Sequence, residues 1–358
     1  MSTFSPEEME HAQKVLASVR DEWLQREGVT AVDLGFKWSN GEMTGQLAIR
    51  VHLAQKKPLS ELSEEELFPS EIEGVTVDVI EATYGIQLVP EGDLQVEAAV
   101  DGRGKRFDPV PLGVSISSKH TTAGTLGAKV IDNATDAEMI LSNWHVMVGV
   151  ANPAANLAIR QPGRLDGGQE SDTVATLSRY VLGPFDAAVA QVTGVRSVQS
   201  QTLEGAVIED TAVPQLGMMV WKSGRTTGRT EGFIDGIQMS VSITYSVGQQ
   251  LLQQVFRIVP RPGAGNIEVS QGGDSGAIWV DEASGKAVGL HFAGEVGSGP
   301  EQALANNLES VLQHLSVHLP AQVVVEPPPV MDDGGEEEKP QDKSFWQRIW
   351  DFIVGLFN

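Results

Sequence analysis

The chain has no cysteine, which excludes disulfide bridges, thiolate nucleophiles and zinc sites built on thiolates. Positive charge is also scarce, because 25 Lys and Arg residues face 48 Asp and Glu residues and the net charge is −23. Phosphate backbones repel so acidic a chain, and we therefore expect no nucleic acid among its partners. The seven histidines form no HExxH or other close pair, so we expect neither a metal site nor a cofactor.

Long hydrophobic runs are missing as well. No run reaches the roughly 18 apolar residues that a membrane-spanning helix needs. The opening stretch, MSTFSPEEMEHAQ, is acidic and lacks the apolar core of a signal peptide. These two absences predict a cytoplasmic protein without a transmembrane helix.

The first part of the chain has the pattern of a small α/β domain. Residues 6–26 predict a helix, with Ser5 as its cap, Pro6 in its first turn and an apolar face at helical spacing. We expect this domain, residues 1–85, to be regulatory or propeptide-like. Three strand-like runs follow the helix, with a short acidic helix, SELSEEELF, before the third: 29–36, 46–53 and 75–80.

The middle of the chain divides into a linker and a long β-rich segment. Residues 86–112 have little pattern and predict a linker, whose one locally basic stretch, DGRGKR, fits either a solvated loop or a processing site. Residues 113–318 consist of short apolar runs separated by glycine turns. This pattern predicts mainly β structure, as antiparallel barrels or a pair of sandwiches, and the segment is long enough for two barrels.

The end of the chain has two further patterns. Residues 319–343 are rich in proline, glycine and acidic residues, so we expect a disordered linker. Residues 344–358, SFWQRIWDFIVGLFN, place the apolar residues between Phe345 and Phe357 on one helical face, which predicts an amphipathic helix. Three roles fit this helix equally: peripheral membrane association, docking in a partner protein, and packing on the chain's own barrel.

Three stretches contain the polar residues that nucleophilic catalysis needs. In chain order they are SNWHV with His145, FDAAV with Asp186 and GDSG with Ser275. A serine hydroxyl is a poor nucleophile without a base in hydrogen-bond reach, and that base needs a partner that fixes its tautomer. Because Gly273 has no side chain to obstruct the turn, the N–H groups of Gly273 and Ser275 can point at one spot and form an oxyanion hole.

This order of motifs resembles the trypsin/chymotrypsin-like serine peptidases, over residues 113–318. The resemblance implies a double six-stranded antiparallel β-barrel and a serine endopeptidase that hydrolyses proteins or peptides through an acyl-enzyme. In these roles Ser275 is the nucleophile, His145 the base and Asp186 the residue that orients it. The absence of disulfides and the loop SGRTTGRTEG resemble the cytosolic branch of the family, although the loop by itself predicts a hairpin pinned by glycines.

Two departures from the family pattern keep a second hypothesis open. Trp144 precedes the histidine, where the family has a small residue, and Ala277 replaces the family's third glycine. Each motif by itself is also typical of an ordinary strand end or turn. The alternative function is a catalytically inactive barrel that binds peptides as an adaptor, with the N-terminal domain and the C-terminal helix recruiting partners.

The same resemblance predicts the specificity pocket. Members that cut after Lys or Arg have Asp six residues before the serine, where this chain has Val269. His291 in VGLHFAG, together with Ser270, resembles the residues that hold Glu or Gln in glutamyl endopeptidases and in chymotrypsin-like proteases of RNA viruses. An imidazole N–H and a hydroxyl can satisfy a buried carboxylate or amide, and a protonated imidazole favours Glu. The alternatives are a structural strand histidine and a shallow apolar pocket.

Asp274, next to the serine, leaves two hypotheses open. In relatives that are activated by cleavage, an aspartate here pairs with a newly freed N-terminal amine. The linker 86–112 is able to supply such an amine, for example after Glu97. The other hypothesis is that Asp274 is paired internally from the start.

Overall fold

The structure is a computed structural model, which describes residues 4–39, 41–87, 99–261, 263, 268–297 and 300–321. The regular structure is mainly β, as the sequence predicts. The predicted amphipathic helix and nearly all of the predicted linker before it lie outside the described residues, so both stay predictions. Within the described ranges, no helix is long and apolar enough to cross a membrane.

The N-terminal segment is a helix followed by five strands. Ser5 caps the helix: its Oγ accepts the N–H of Glu8 at 3.2 Å, while the Glu8 carboxylate accepts the N–H of Ser5 at 2.8 Å. The predicted short acidic helix is instead two 3₁₀ turns, Leu59–Glu61 and Glu64–Glu66. The other elements are α1 (Pro6–Trp23), β1 (Val29–Ser39), β2 (Glu42–Leu53), β3 (Glu71–Ile72), β4 (Val75–Glu81) and β5 (Tyr84–Ile86).

The β-rich segment begins with short 3₁₀ turns and strands. The three turns are Val100–Gly102, Arg164–Asp166 and Glu170–Asp172. The strands and one short helix are β6 (Val110–Leu112), β7 (Ser115–Ile116), β8 (Gly124–Thr125), β9 (Ala128–Asp132), β10 (Glu138–Ser142), α2 (Trp144–Met147), β11 (Ala158–Arg160), β12 (Thr173–Leu182), β13 (Asp186–Val192) and β14 (Val198–Thr202).

The second half of the segment has longer strands. Its β20 has the sequence ALANN, which lacks the β-branched residues typical of strands. The elements are β15 (Met219–Gly224), β16 (Gly228–Tyr245), β17 (Gly248–Pro260), β18 (Ile278–Asp281), β19 (Ala287–Glu295), β20 (Ala303–Asn307), α3 (Leu308–His314) and β21 (Val317–His318).

The strands pair into two antiparallel rings, of which the second has six strands and the first is completed through β7 and β8. In the second ring, neighbours run β15–β18–β19–β20–β17–β16, and β16 pairs back with β15. In the first ring they run β11–β12–β13–β10–β9, and β8 leads directly into β9. β8 pairs with β7, and a bridge between Ser117 and Arg160 joins the end of β7 to β11. This pairing agrees with the predicted double-barrel fold class, which is confirmed.

The N-terminal segment shares main-chain hydrogen bonds with the second barrel. β1 pairs antiparallel with β16, β2 pairs with β1, and β4 runs parallel to β2, so that one sheet of eleven strands results. One face of α1 is buried in the same hydrophobic cluster as Phe233 and Ile258 of the barrel. Leu16 and Trp23 of that face are fully or almost fully buried, and each such side chain contributes about 1.5–3 kcal/mol. The division of the chain at residue 85 stays a prediction.

The predicted linker contains ordered structure that the sequence pattern does not reveal. Its last three residues form β6, which is fully or almost fully buried and pairs in parallel with β14. Arg103, in the basic stretch DGRGKR, is also buried; it donates to the Gly113 carbonyl at 3.1 Å and to Ser223 Oγ at 2.7 Å. The solvated-loop interpretation is therefore wrong at Arg103. A three-residue strand is too short to show a periodic pattern.

Four buried charges tie the N-terminal segment to the second barrel. Arg50 on β2 donates to Asp33 on β1 at 2.7 Å and to Asp235 on β16 at 2.9 Å. Arg257 on β17 donates to the other oxygen of Asp235 at 2.8 Å. Burial alone raises the pKa of Asp235, but the two guanidinium groups outweigh it and hold that pKa below its ordinary value. Asp235 is thus the ionised centre of the network.

Replacing this central carboxylate tests the role of the network. Asp235→Asn leaves two buried guanidinium groups without their counter-charge, and we expect it to lower the free energy of unfolding by about 3–5 kcal/mol. Urea denaturation measures the change. As a control, Glu10→Gln breaks an exposed Glu10–Lys14 pair on α1 and should leave the midpoint close to that of the wild type. Equal midpoints for all three proteins would contradict the structural role.

Candidate active site

His145 and Asp186 form a buried hydrogen-bonded pair. His145 lies on the short helix α2 directly after β10, and Asp186 is the first residue of β13, which pairs with β10. The Nδ1 of His145 bonds Asp186 Oδ2, and its backbone N–H donates to Asp186 Oδ1 at 3.2 Å. Because the carboxylate accepts the proton on Nδ1, the lone pair of the neutral imidazole lies on Nε2. No hydrogen-bond partner occupies Nε2.

The second barrel helps to hold Asp186. Tyr245, at the end of β16, donates its hydroxyl to Asp186 Oδ2 at 3.0 Å. Asn306 on β20 accepts the backbone N–H of Asp186 at 3.1 Å, and Asn143 donates its side-chain amide to the Asp186 carbonyl at 2.8 Å. Burial first, and then the Asp186 charge, raise the pKa of Tyr245 well above its usual value, so this hydroxyl keeps its proton. Asp186 therefore bridges the two barrels.

Trp144 packs against Tyr245 in the core. Its indole packs edge-on against the ring of Tyr245, with 6.1 Å between the ring centroids. Trp144 is buried in the main hydrophobic cluster. The large side chain that departs from the family pattern is therefore part of the core, in contact with the tyrosine that donates to Asp186.

Ser275 lies in a tight turn that requires glycine on both sides. Gly273 and Gly276 have φ values of +101° and +98°, which side-chain-bearing residues rarely adopt. A Cβ on Gly276 would lie 2.2 Å from Ser142 Oγ and from the Thr125 carbonyl oxygen. Thr125 of β8 donates its N–H to the Ser275 carbonyl at 2.7 Å. The serine turn of the second barrel is thus fixed against β8 of the first.

The serine turn and the histidine helix meet at Gly124. A Cβ on Gly124 would lie 2.4 Å from the Val146 side chain and 3.1 Å from the Ser275 carbonyl oxygen. Val146 follows His145 directly, so both elements approach the same point of β8. Like His145 Nε2, Ser275 Oγ is buried and has no hydrogen-bond partner. Each is a buried polar group that calls for an explanation, and the two have the complementary chemistry of a base and a hydroxyl.

Asp274 is paired internally. Its carboxylate accepts from Lys222 Nζ at 2.9 Å and from Thr227 Oγ1 at 2.6 Å, and from the N–H groups of Thr226 at 2.9 Å and Gln271 at 3.0 Å. Burial favours the neutral acid, but Lys222 and these donors hold the pKa of Asp274 below its usual range. Of the two hypotheses for Asp274, the structure thus supports internal pairing without a freed N-terminus.

The loop SGRTTGRTEG does more than reverse the chain. It forms the hairpin between β15 and β16, as its glycines predict, with Gly224 opposite Gly228. Its two central threonines also donate to Asp274, and a Cβ on Gly224 would lie 2.3 Å from that carboxylate. The hairpin therefore positions the serine turn through Asp274.

The predicted pocket residues Ser270 and His291 are both buried, and Gln87 lies beside Ser270. Ser270 Oγ donates to Gln87 Oε1 at 3.0 Å, and a Cβ on Gly294 would lie 2.2 Å from Gln87 Nε2. His291 packs edge-on against Trp279, and its ring nitrogens have no hydrogen-bond partner. Burial, and then the positive charge of Lys222, lower the pKa of His291 to about 3. His291 is therefore a neutral imidazole at pH 7.

Glu301 lies behind the pocket wall. Its Oε1 accepts the backbone N–H groups of Val269 at 2.9 Å and Ser270 at 3.1 Å. Burial, and then hydrogen bonding to the Glu295 carboxyl, raise the pKa of Glu301 to about 7 in spite of these donors. The pocket thus has a carboxyl that titrates near neutral pH.

Sequence reasoning identified His145, Asp186, Ser275, Ser270 and His291, but it missed the residues that hold them. Most of the missed residues lie far from the motifs in sequence, and single tyrosines, asparagines and lysines carry no local signal, even Asn143 inside SNWHV. Only the threonines of the SGRTTGRTEG loop had a visible motif. The residues that sequence reasoning missed are Gln87, Asn143, Lys222, Thr226, Thr227, Tyr245, Glu301 and Asn306. Within the described part of the chain, no group of His, Asp or Glu is arranged to hold a metal ion.

Comparison with solved structures found similar chains among serine proteases. Comparison with protein-family models found no match, and neither did comparison with curated proteins. Protease A of Thermobifida fusca is 15% identical and covers 60% of this chain and 99% of its own, with a TM-score of 0.44. A glutamic acid-specific serine protease is 21% identical and covers 59% of this chain and 100% of its own, with a TM-score of 0.45.

A protease from Nocardiopsis is 17% identical and covers 60% of this chain and 100% of its own, with a TM-score of 0.44. The resemblance is to bacterial chymotrypsin-like serine proteases. At these identities the similarity concerns the fold alone.

The raised pKa of Glu301 predicts a pH-dependent stability. Between its ordinary value of 4.5 and about 7, the unfolded carboxyl ionises while the folded one stays protonated. The stability that Glu301 contributes is therefore complete below pH 4.5 and is lost as the pH rises through 7. Glu301→Gln lacks this loss, so the difference in Tm between variant and wild type should grow from pH 4.5 to 7 and then level off.

Thermal unfolding across this pH range measures the difference. Glu42→Gln, which changes an exposed carboxyl on β2, is the matched control and should parallel the wild type. A constant offset between Glu301→Gln and wild type at every pH would refute the assignment.

Proposed function

We propose that this protein is a serine endopeptidase, with Ser275 as nucleophile, His145 as general base and Asp186 as the residue that orients it. One observation carries the proposal. The buried Asp186–His145 pair leaves Nε2 free, and the turn of Ser275, which approaches the His145 helix at Gly124, has a buried hydroxyl without a hydrogen-bond partner. Bonds from Tyr245 and Asn306 keep this pair in one geometry, as a base that must transfer protons requires.

In the proposed reaction, Ser275 Oγ attacks the substrate carbonyl and gives its proton to His145 Nε2. The imidazolium that forms is stabilised by Asp186, and the N–H groups of Gly273 and Ser275 hold the oxyanion. His145 then protonates the leaving amine as the peptide bond breaks. Water hydrolyses the resulting ester by the same route in reverse, which restores the serine and releases the new carboxyl group.

The substrates that we propose are peptides with Gln at P1, and more weakly Glu. Ser270 Oγ already binds an amide oxygen, that of Gln87, and the pocket lies beside a neutral His291. The nearby cation, Lys222, is paired with Asp274. A Glu carboxylate at P1 would therefore be buried without a positive partner, which is costly, whereas an amide needs none.

The triad assignment predicts a large loss of activity on mutation. We expect Ser275→Ala and His145→Ala each to lower kcat/KM for peptide hydrolysis by at least ~10⁴-fold, because the nucleophile and its base act as one unit. The assay uses a diverse peptide library read by mass spectrometry. Because Gln87 occupies the pocket, each variant is tested both in the wild-type chain and in Gln87→Ala.

Ser284→Ala, in an exposed turn, is the matched control and should keep full activity. Peptide binding without any Ser275-dependent hydrolysis would favour the adaptor function instead, in which the same cleft recruits peptide segments.

The pocket predicts a preference of Gln over Glu at P1. At pH 7.5 we expect kcat/KM to be at least ~10-fold higher for Gln, because an unpaired buried carboxylate costs more than the ~1.4 kcal/mol of one decade. Towards pH 5 the ratio should fall as Glu becomes protonated and resembles the amide. Paired peptides that differ only at P1 measure the ratio, and faster cleavage after Glu at pH 7.5 would overturn the pocket assignment.

A further inference from the structure

Residues 83–86 lie along the edge of the second barrel next to the serine turn. β5 pairs antiparallel with β19, and this pairing sets Ile86 opposite Ala293, Gly85 opposite Gly294 and Tyr84 opposite Glu295. The N–H of Val296 donates to the Thr83 carbonyl at 3.0 Å. An extended segment added to a free strand edge is the usual way in which a protein binds a peptide in sequence register.

The next residue, Gln87, makes the two contacts expected of the residue whose peptide bond is cut. Its carbonyl oxygen accepts the N–H of Gly273 at 3.3 Å, which is one of the two proposed oxyanion donors. Its side-chain oxygen accepts from Ser270 in the specificity pocket at 3.0 Å. The main chain of Gln87 thus contacts an oxyanion donor while its side chain contacts the pocket.

The proposed catalytic residues are covered. Ser275 is only 1% exposed, His145 3% and Asp186 0%. Within the described residues, the Gln87 carbonyl contacts the serine turn by accepting the N–H of Gly273, two residues before the nucleophile. A peptide from outside must therefore displace residues 83–87 before it can reach Ser275.

The segment is held in place by the buried charge network. The Tyr84 hydroxyl bonds His52 Nδ1 at 2.7 Å, and His52 Nε2 lies 3.1 Å from the Asp33 carboxylate. Tyr84 is buried, and Gln302 lies between its hydroxyl and Arg257, at 3.4 and 3.0 Å. His52 and Tyr84 are buried, so their polar groups can form hydrogen bonds only within the protein. The positions of β1 and β2 therefore determine where the chain reaches the serine turn.

We propose that residues 83–87 are the enzyme's own first substrate, and that the bond between Gln87 and Leu88 is hydrolysed within the same molecule. The proposal rests on the proposed serine-peptidase function and goes beyond it. The main-chain register, the Gln87 carbonyl on one oxyanion donor and the glutamine side chain on Ser270 all fit one productive arrangement.

The atoms of the step balance with water as the second reactant. Ser275 Oγ bonds the Gln87 carbonyl carbon as its proton moves to His145 Nε2. The C–N bond to Leu88 breaks, and His145 gives that proton to the Leu88 amine. Water then attacks the ester, loses a proton through His145 to Ser275 Oγ and leaves a carboxyl group on Gln87. The products are residues 1–87 and 88–358.

The first product should stay bound after the cut. β1 remains hydrogen-bonded to β16, and the network around Asp235 does not involve the severed bond. Residues 83–87 therefore remain next to the pocket at high effective concentration and compete with external peptides. Peptide hydrolysis should rise when this occupant is weakened.

Intact mass and peptide hydrolysis together test the proposal on the purified full chain. We expect the wild type to convert into fragments 1–87 and 88–358, which co-elute in gel filtration, while Ser275→Ala stays whole. Gln87→Ala should be cut at least ~100-fold more slowly, because the pocket loses the side chain that it binds. Gln46→Ala, an exposed glutamine on β2, is the matched control and should be cut like the wild type.

Two comparisons show whether the cut is intramolecular. Its rate constant should not change over a 100-fold range of protein concentration, and full-length Ser275→Ala mixed with active wild type should stay whole. Gln87→Ala should also hydrolyse an added peptide with P1 Gln several-fold faster than the wild type.

The outcomes separate the two proposals. Ser275-dependent hydrolysis of added peptide by a wild type that stays whole would overturn self-cleavage and leave the peptidase function standing. No hydrolysis of either kind, in wild type or in Gln87→Ala, would overturn both. Cleavage at another bond, or at a rate that grows with concentration, would overturn the intramolecular assignment alone.

Discussion

The buried ion network of Asp33, Arg50, Asp235 and Arg257 constrains how the N-terminal segment sits on the second barrel. Taking four charges out of water is costly, and the cost is offset only when each carboxylate faces a guanidinium at hydrogen-bond distance. That requirement allows one placement of β1 and β2 on β16 and β17. The network extends to Tyr84, so the same constraint also determines where the following residues enter the cleft.

The same principle applies to two carboxylates in the candidate active site. Asp186 belongs to the first barrel but accepts from Tyr245 of the second, and Asp274 holds its turn through Lys222 and the hairpin between β15 and β16. Each is a buried acid whose donors come from distant parts of the chain. Because an unpaired buried carboxylate is so costly, these contacts fix the cleft between the barrels as firmly as apolar packing does.

A cleft filled by the chain itself accounts for the burial of Ser275. The segment before Gln87 is attached to the barrel by sheet pairing, so its effective concentration at the pocket exceeds that of most peptides in solution. In the proposed enzyme, an internal occupant therefore restrains activity without a separate inhibitor. A regulatory role of the N-terminal segment would then depend on residues 83–87 as much as on the fold of residues 1–81.

The sequence by itself determined the β-rich class of the barrels, the helix at Pro6–Trp23 and the stretches around His145, Asp186 and Ser275, because periodicity, caps and glycine turns act over a few residues. Only the tertiary structure decided that β1 pairs with β16, that three residues of β5 lie on β19 and that Gln87 reaches the pocket. The sequence of a strand does not by itself identify the strand with which it pairs. That choice depends on which distant edges, charges and hydrogen-bond donors are satisfied together.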